Sequence, residues 1–135
     1  MYKNILVPVA VDHDPKTERA LTVARLLKDD GGKITLLTVM EAVPEFIMTQ
    51  LPDGQMEHNR EEMRKGLAED MAGADDVEIK VVSGHAGRTI LDFAKEQGID
   101  CVVMNSHRPD LTDYFLGSTA ARVVRHAQCA VHVLR

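Results

Sequence analysis

At 135 residues, the chain has the length of one domain with a normal hydrophobic core. Its 44% hydrophobic and 27% charged residues are typical of a soluble globular protein. The net charge of −5 and the lack of a dense Lys/Arg block disfavour nucleic-acid binding, because phosphate contacts need a basic face. No apolar run approaches the roughly 20 residues that span a bilayer, so we expect no membrane insertion.

The first residues, MYKNILVPVAV, hold a short apolar run without a small-residue cleavage site. This pattern predicts a first strand rather than a signal peptide, and we expect a cytoplasmic protein. Cys101 and Cys129 fit no metal-ligand spacing, so in a reducing compartment we expect buried free thiols.

Apolar runs without a helical period predict five strands along the chain. Continuous Ile, Leu and Val, as in the first two runs, suit strands buried on both faces of a parallel sheet. The third run alternates apolar and polar residues, which indicates a strand nearer the sheet edge. The predicted strands are Lys3–Val11, Lys33–Met40, Val77–Val82, Cys101–Met104 and Ala130–Leu134.

Helical spacing of apolar residues predicts a helix in each gap between these strands. Asp14 is a candidate cap of the first helix, with Pro15 at its first position and Gly31-Gly32 as its end. The segment Glu41–Gln55 has no clear period and predicts a long, functional loop. The other helices are predicted over Met56–Met71, Thr89–Gln97 and Ala120–Ala127, with a turn at Gly84–Gly87.

This alternation of strands and helices predicts an α/β fold over residues 1–135, a doubly wound open parallel sheet with helices on both faces. In such sheets, ligands bind beyond the carboxyl ends of the strands, where the strand order reverses. The first and fourth strands are the expected neighbours at that point. Their carboxyl ends are Ala10–Asp12 and Met104–His107.

The segment Met104–Thr119 follows the fourth strand with a polar loop and then a helix. The first N–H groups of a helix lack intrahelical acceptors and its dipole favours an anion, so this order suits a phosphate. Gly117 allows close approach to the backbone, and Ser118 or Thr119 can cap the helix or donate a hydroxyl. A capped strand-to-helix connection without a ligand explains the same pattern.

Four segments, MYKNILVPV, ITLLTV, GRTILDFAKEQGIDCVVMNSH and LGSTAARVVRHAQCAVHVLR, span the chain and resemble the universal stress proteins. The resemblance implies a Rossmann-like fold of the adenine nucleotide alpha hydrolase type. It also implies binding of ATP, or of AMP or ADP, with Mg²⁺ at the phosphates. Family members commonly dimerise through the last strand, so we expect a homodimer formed by Ala130–Leu134, with a tetramer as a further option.

The nucleotide-binding branch of that family carries Gly-x2-Gly-x9-Gly-[Ser/Thr] on the loop after the fourth strand. Asn105 and Arg108 stand at the first two glycine positions, and Gly117-Ser118 follows one residue early. The family's Asp at the end of the first strand is Ala10 here, with Asp12 two residues on. These departures weaken the inference of ATP binding without removing it.

A shorter-looped branch, also associated with ATP, has Ser-x-x-Pro at this place and is similar to Ser106–Pro109. Arg108 can clamp phosphate with its guanidinium, whereas its alternative is a solvated loop side chain. Asn105 tolerates positive φ and can preserve the turn. His107 can stack on or bond a ligand, although an exposed loop histidine is the simpler interpretation.

Asp12 can bond a ribose hydroxyl or simply form a turn, and Val39 can offer backbone groups to adenine while its side chain lies in the core. The candidate nucleotide site therefore comprises the residues at these strand ends and on the loop: Ala10, Asp12, Val39, Met104, Asn105, His107, Arg108, Gly117, Ser118 and Thr119.

The sequence offers no catalytic constellation: it has no Ser-His-Asp order and no Walker lysine, so any ATP hydrolysis is expected to be slow. The leading hypothesis is an ATP-binding regulator that acts through an unidentified protein partner. The second is a nucleotide-free dimeric adaptor, which the missing glycines at Asn105 and Arg108 favour. An ATPase or phosphotransferase is a third, disfavoured by the absent base.

Overall fold

The structure, a computed structural model, describes residues 1–9, 16–41, 45–70, 75–106 and 116–135. These residues form five strands: β1 (Tyr2–Val9), β2 (Lys28–Met40), β3 (Val77–Ser83), β4 (Cys101–Asn105) and β5 (Ala130–Leu134). In the same ranges there are five helices: α1 (Lys16–Leu27), α2 (Glu45–Met48), α3 (Gln55–Asp70), α4 (Ala86–Glu96) and α5 (Ser118–His126). None of these helices is long and apolar enough to span a membrane.

The strands form one parallel sheet in the order β3-β2-β1-β4-β5. β1 pairs with β2 on one side and with β4 on the other, so the strand order reverses between β1 and β4. This arrangement confirms the predicted doubly wound α/β fold and the predicted pairing of the first and fourth strands.

The central strands are buried on both faces, as their unbroken apolar sequences predict. One face packs against α1, with Leu67 of α3 at its margin, and the other packs against α4 and α5. The α1 cluster comprises Ile5, Val7, Ala20, Leu21, Ala24, Ile34, Leu36, Cys101, Val103 and Leu134. The α4–α5 cluster comprises Leu6, Leu37, Val39, Ile90, Ala94, Ile99, Val102, Met104, Ala120 and Val123.

The edge strand β3 alternates because its two faces are covered differently. Ile79 and Val81 turn towards α3. On the opposite face, Val82 packs against the α4–α5 cluster, whereas Glu78 and Lys80 are exposed. Lys33 and Lys80 both pair with Glu78, at 2.8 and 3.2 Å, and these hydrogen bonds lower the pKa of its carboxyl group. The prediction of an edge strand at Val77–Val82 is confirmed.

The predicted end of the first helix at Gly31-Gly32 is wrong. α1 ends at Leu27, and Lys28 already pairs with Tyr2 of β1, so the glycines lie within β2. The ladder shifts register between Lys28 and Lys33, and Gly31 has a φ of +77° in this irregular stretch. Pairing with the first residues of β1 therefore starts β2 before Gly31-Gly32, although this glycine pair locally resembles the end of a helix.

Two further predictions along the chain need correction. The predicted loop Glu41–Gln55 contains α2, a single helical turn that is too short to show a period, and Gln55 already begins α3. The predicted turn at Gly84–Gly87 ends early because α4 begins at Ala86. Gly87 lies inside this helix, where an added Cβ would come within 2.6 Å of Arg122 Cδ, so its small size serves helix packing.

The ends of the other elements differ by one to three residues from the prediction, as expected for helix and strand termini. Gly98, the expected end of α4, follows the helix with a φ of +65°, a conformation that favours glycine. Cys101 is buried and Cys129 half-buried, and both are free thiols. The predicted residues Val11, Asp14, Pro15 and Met71 lie outside the described residues.

Asp100 ties the amino end of β4 to β1. Its Oδ2 accepts the N–H of Lys3 at 2.8 Å and its Oδ1 accepts the N–H of Asn4 at 3.0 Å. The Asp100 N–H in turn donates to the Asn4 carbonyl at 3.0 Å. One carboxylate thus satisfies two backbone donors at the edge of the β1–β4 ladder.

We expect Asp100→Asn to destabilise the fold, because an amide offers one acceptor oxygen where the carboxylate offers two. Loss of a charged hydrogen bond of this kind lowers the free energy of unfolding by about 1–3 kcal/mol. Urea denaturation followed by circular dichroism measures the change. Asp92→Asn, at an exposed position of α4, is the matched control, and equal stability of both variants would contradict the role of Asp100.

Candidate functional site

The reversal of strand order places the carboxyl ends of β1 and β4 side by side, and α5 begins at the same edge of the sheet. Two short hydrogen bonds fix the start of α5 there. The Ser106 N–H donates to the Leu134 carbonyl at 2.7 Å, and the Ser106 carbonyl accepts the Gly117 N–H at 2.6 Å. Ser106 is buried, so the ends of β4, β5 and α5 are joined at one residue.

The first turn of α5 leaves its backbone donors open. Gly117 is the N-cap, with φ −58° and ψ 153°, and its carbonyl accepts the Ala121 N–H at 2.8 Å. The N–H groups of Ser118, Thr119 and Ala120 have no acceptor in the part of the chain that the structure describes. An anion is the natural partner of three such donors.

The charged residues of α5 lie towards its carboxyl end. Its first turn has no acidic residue, and Arg125 and His126 lie in its last turn, where the helix dipole favours positive charge. Ala120 and Val123 are buried against the sheet and hold the helix in place. The positive end of the dipole is therefore uncompensated within α5 and points to the site at the strand ends.

The sequence of the chain was compared with those of known protein families. The model of the universal stress protein family matches residues 1–135. The chain belongs to the universal stress protein family. Universal stress protein G of Escherichia coli O157:H7 is 30% identical over 143 residues, which cover 100% of both chains.

Solved structures of universal stress proteins share the fold. UspA from Lactobacillus plantarum has a TM-score of 0.69 at 28% sequence identity, over 99% of this chain and 98% of that one. A universal stress protein in complex with cAMP has a TM-score of 0.71 over 99% of this chain and 97% of that one. At 18% identity, the second likeness shows the fold alone.

In this universal stress protein, two of the three predicted strand-end residues that the structure describes belong to the core. Val39 and Met104 are buried in the α4–α5 cluster, which leaves only their backbone atoms for a ligand. Asn105 is half-buried at the end of β4, in register with Leu134 of β5. Asn105 has a negative φ, so the positive φ that its residue type tolerates is not used.

The predicted residues at the helix start do come together. Gly117 and Thr119 are half-buried and Ser118 is exposed, all beside the open N–H groups. Gly117 was expected to bring its own backbone to a ligand, but its N–H is committed to Ser106, so the open donors begin one residue later. Ala10, Asp12, His107 and Arg108 lie outside the described residues, and their roles stay predictions.

Ser106 is the residue of the site that the sequence did not single out. Its backbone, rather than a side-chain chemistry, joins the strand ends to the helix, and backbone roles leave little trace in a sequence. The available signal was its place directly after the fourth strand, at the first position of Ser106–Pro109.

The two thiols lack the features of reactive or metal-binding cysteines. Burial raises the pKa of Cys101 to about 11 and also raises the pKa of Cys129. Both thiols are therefore protonated at neutral pH, whereas nucleophilic and ligating cysteines act as thiolates. Within the described residues, no group of three His, Cys, Asp or Glu side chains could hold a metal ion.

Proposed function

We propose that this universal stress protein binds ATP at the carboxyl ends of β1 and β4 and regulates a partner protein according to its nucleotide state. The observation that carries the proposal is the set of open N–H groups of Ser118, Thr119 and Ala120, held at the strand-order reversal by the Ser106–Gly117 hydrogen bond. The complex of a related universal stress protein with cAMP supports a nucleotide as the ligand.

In this proposal, the phosphates lie at the start of α5. The N–H groups of residues 118–120 and the hydroxyls of Ser118 and Thr119 bind phosphate oxygens, and Arg108 adds a bidentate contact. Mg²⁺ accompanies the phosphates and neutralises part of their charge.

The nucleoside then lies at the ends of β1 and β2. Asp12 bonds a ribose hydroxyl there, Ala10, Met104 and Asn105 line the strand ends, and Val39 offers its backbone to adenine. His107 stacks on the ligand or bonds to it. We assign no general base, so ATP hydrolysis is at most slow and the chain acts as a cytoplasmic regulator rather than an enzyme.

The second candidate function is a dimeric adaptor that binds no nucleotide. Asn105 and Arg108 favour it, because neither position has the glycine that lets a backbone approach a phosphate closely.

Native mass spectrometry of the purified protein separates the two functions. We expect a species heavier than the chain by the mass of ATP, ADP or AMP, because the open donors retain a phosphate through mild purification. A spectrum of the bare chain that stays unchanged after incubation with ATP and Mg²⁺ would favour the adaptor.

Gly117→Val is expected to weaken ATP binding by at least about tenfold, or roughly 1.4 kcal/mol, in calorimetric titration. A side chain at the N-cap lies over the N–H groups of the first helical turn, so the valine methyl groups cover the donors assigned to phosphate. Valine adopts the observed φ of −58° readily, and the fold is retained.

Gly66→Val is the matched control, because an added Cβ at this α3 glycine has no atom within 4 Å. It is expected to bind ATP as the unaltered protein does. Unchanged affinity in a folded Gly117→Val variant would place the phosphates elsewhere.

We further propose a homodimer through antiparallel pairing of β5. The Leu134 carbonyl accepts the N–H of Ser106, directly after β4, and the β4–β5 register is unbroken. Because backbone groups alternate along a strand, the N–H and C=O groups of Ala130, His132 and Leu134 face β4. The N–H and C=O groups of Val131 and Val133 therefore face outward. A two-fold axis lets each copy satisfy the other's edge, and a tetramer needs a second contact.

Val131→Pro is expected to give a monomer in light scattering after size exclusion. The substitution removes an outward N–H but no donor of the β4–β5 ladder, so the sheet within one chain is preserved. Ile79→Pro, which removes an outward N–H at the opposite edge of the sheet, is the matched control and is expected to remain dimeric. A folded Val131→Pro dimer would move the interface to another surface.

A further inference from the structure

A cavity of about 330 Å³ lies between α3 and the edge strand β3, away from the strand ends that we assign to nucleotide. Ile79 and Val81 form its apolar floor, and Lys80 contributes from the same strand. Charged side chains of α3 line the opposite wall, including Glu57, Arg60 and Arg64. A helix and an open strand edge thus form a groove with an apolar base and a charged rim.

The backbone of β3 presents a row of open hydrogen-bonding groups to this groove. The Gly84 N–H donates to the Met40 carbonyl at 2.8 Å, and the β2–β3 register is unbroken from Val77 to Ser83. Because backbone groups alternate along a strand, those of Glu78, Lys80 and Val82 face β2.

The N–H and C=O groups of Val77, Ile79, Val81 and Ser83 therefore face away from the sheet. Among the described residues, β2 is the only strand that pairs with β3, so this outer row has no strand partner. Open groups of this kind form a template for a further strand.

The guanidinium of Arg60, which lines the groove, has an unused hydrogen-bond donor. Among the described residues, its Nε is buried without a hydrogen-bond partner, and its Nη2 contacts Ser83 Oγ at 3.5 Å. No carboxylate pairs with Arg60 in the described ranges, although Glu57 lines the same cavity. A buried donor left unpaired is costly, and an acceptor that enters the groove removes that cost.

Two other arginines show that a carboxylate binds the Nε and Nη2 atoms of a guanidinium in this protein. Arg25 donates hydrogen bonds to the Asp76 carboxylate from Nε at 2.8 Å and from Nη2 at 3.1 Å. Arg64 donates to the Glu61 carboxylate from the same two atoms, at 3.1 and 2.6 Å. These contacts lower the pKa of both carboxyl groups. No carboxylate of the described residues binds the same two atoms of Arg60.

We propose that the groove between α3 and β3 binds an extended polypeptide segment of a partner protein, which adds a strand to β3 and places an Asp or Glu side chain on Arg60. Main-chain hydrogen bonds to the outer row of β3 supply affinity, and the Arg60–carboxylate pair supplies specificity. Apolar side chains flanking the acid rest on Ile79 and Val81. This docking site is independent of the nucleotide site.

The test uses the full chain and two acetylated, amidated probe peptides, Thr-Val-Thr-Glu-Thr-Val-Thr and the same peptide with Gln for Glu. In an extended chain, the two Val residues and the central residue share one face, which meets the groove. We expect amide NMR shifts on addition of the Glu peptide to concentrate at Ile79, Val81 and the groove-facing residues of α3. The Gln peptide is expected to bind about tenfold more weakly.

Two variants separate the contributions. Arg60→Gln is expected to bind both peptides equally weakly, while Arg88→Gln, at an exposed position of α4, retains the preference for Glu. Ile79→Pro removes one outward N–H and is expected to abolish binding, whereas Val131→Pro on the other edge has no effect. Circular dichroism of each variant checks that its fold is retained.

Several results would overturn the proposal. Shifts confined to Val131 and Val133 would place the peptide at β5, and equal affinity of the Glu and Gln peptides would remove the carboxylate from recognition. Identical shifts from acetate alone would show a small-anion pocket rather than a strand-docking groove. Concentration-dependent assembly through β3 without peptide would make a second copy of this chain the occupant.

Discussion

The architecture depends on the complete burial of β1. Ile5, Leu6 and Val7 have no exposed surface, and their side chains enter both core clusters. A strand buried on both faces must have strands on both sides and helices above and below, because no backbone group or apolar side chain there can meet water. β1 accordingly pairs with β2 on one side and β4 on the other, and it lies between α1 on one face and α4 and α5 on the other.

That reversal explains why backbone atoms dominate the candidate site. The side chains of Val39 and Met104 are required by the core beneath it, so the strand ends can offer a ligand mainly peptide groups. Ser106 joins the strand ends to α5 and directs the open donors of the first helical turn to the same place. The site thus combines peptide groups at the strand ends with a positive helix end, an arrangement that suits a phosphate.

The two edges of the sheet are different surfaces. The outward backbone groups of β5 belong to Val131 and Val133, and the strand Ala130–Leu134 holds no Asp, Glu, Lys or Arg, which suits pairing with an identical strand from a second copy. β3 instead carries Glu78 and Lys80 on one face and the Arg60 groove on the other. Charges on an edge strand discourage unspecific pairing, so β3 is suited to a segment that meets its charge requirements. In our two proposals, a second copy pairs with β5 and a partner segment pairs with β3, so the two interactions use opposite edges of the sheet.

The sequence by itself determined the five strands, their parallel arrangement, the pairing of the first strand with the fourth and the family resemblance, because buried parallel strands are unbroken Ile, Leu and Val runs and the closing segment LGSTAARVVRHAQCAVHVLR is specific. It also predicted an anion site at the start of α5 from Gly117, Ser118 and Thr119, and this assignment stays a prediction. Only the tertiary structure decided that the Gly117 N–H belongs to Ser106, that Gly31-Gly32 lies within β2, and that Arg60 Nε, near an open strand edge, has no hydrogen-bond partner among the described residues. These features depend on contacts between residues distant along the chain, and local periodicity carries no information about such contacts.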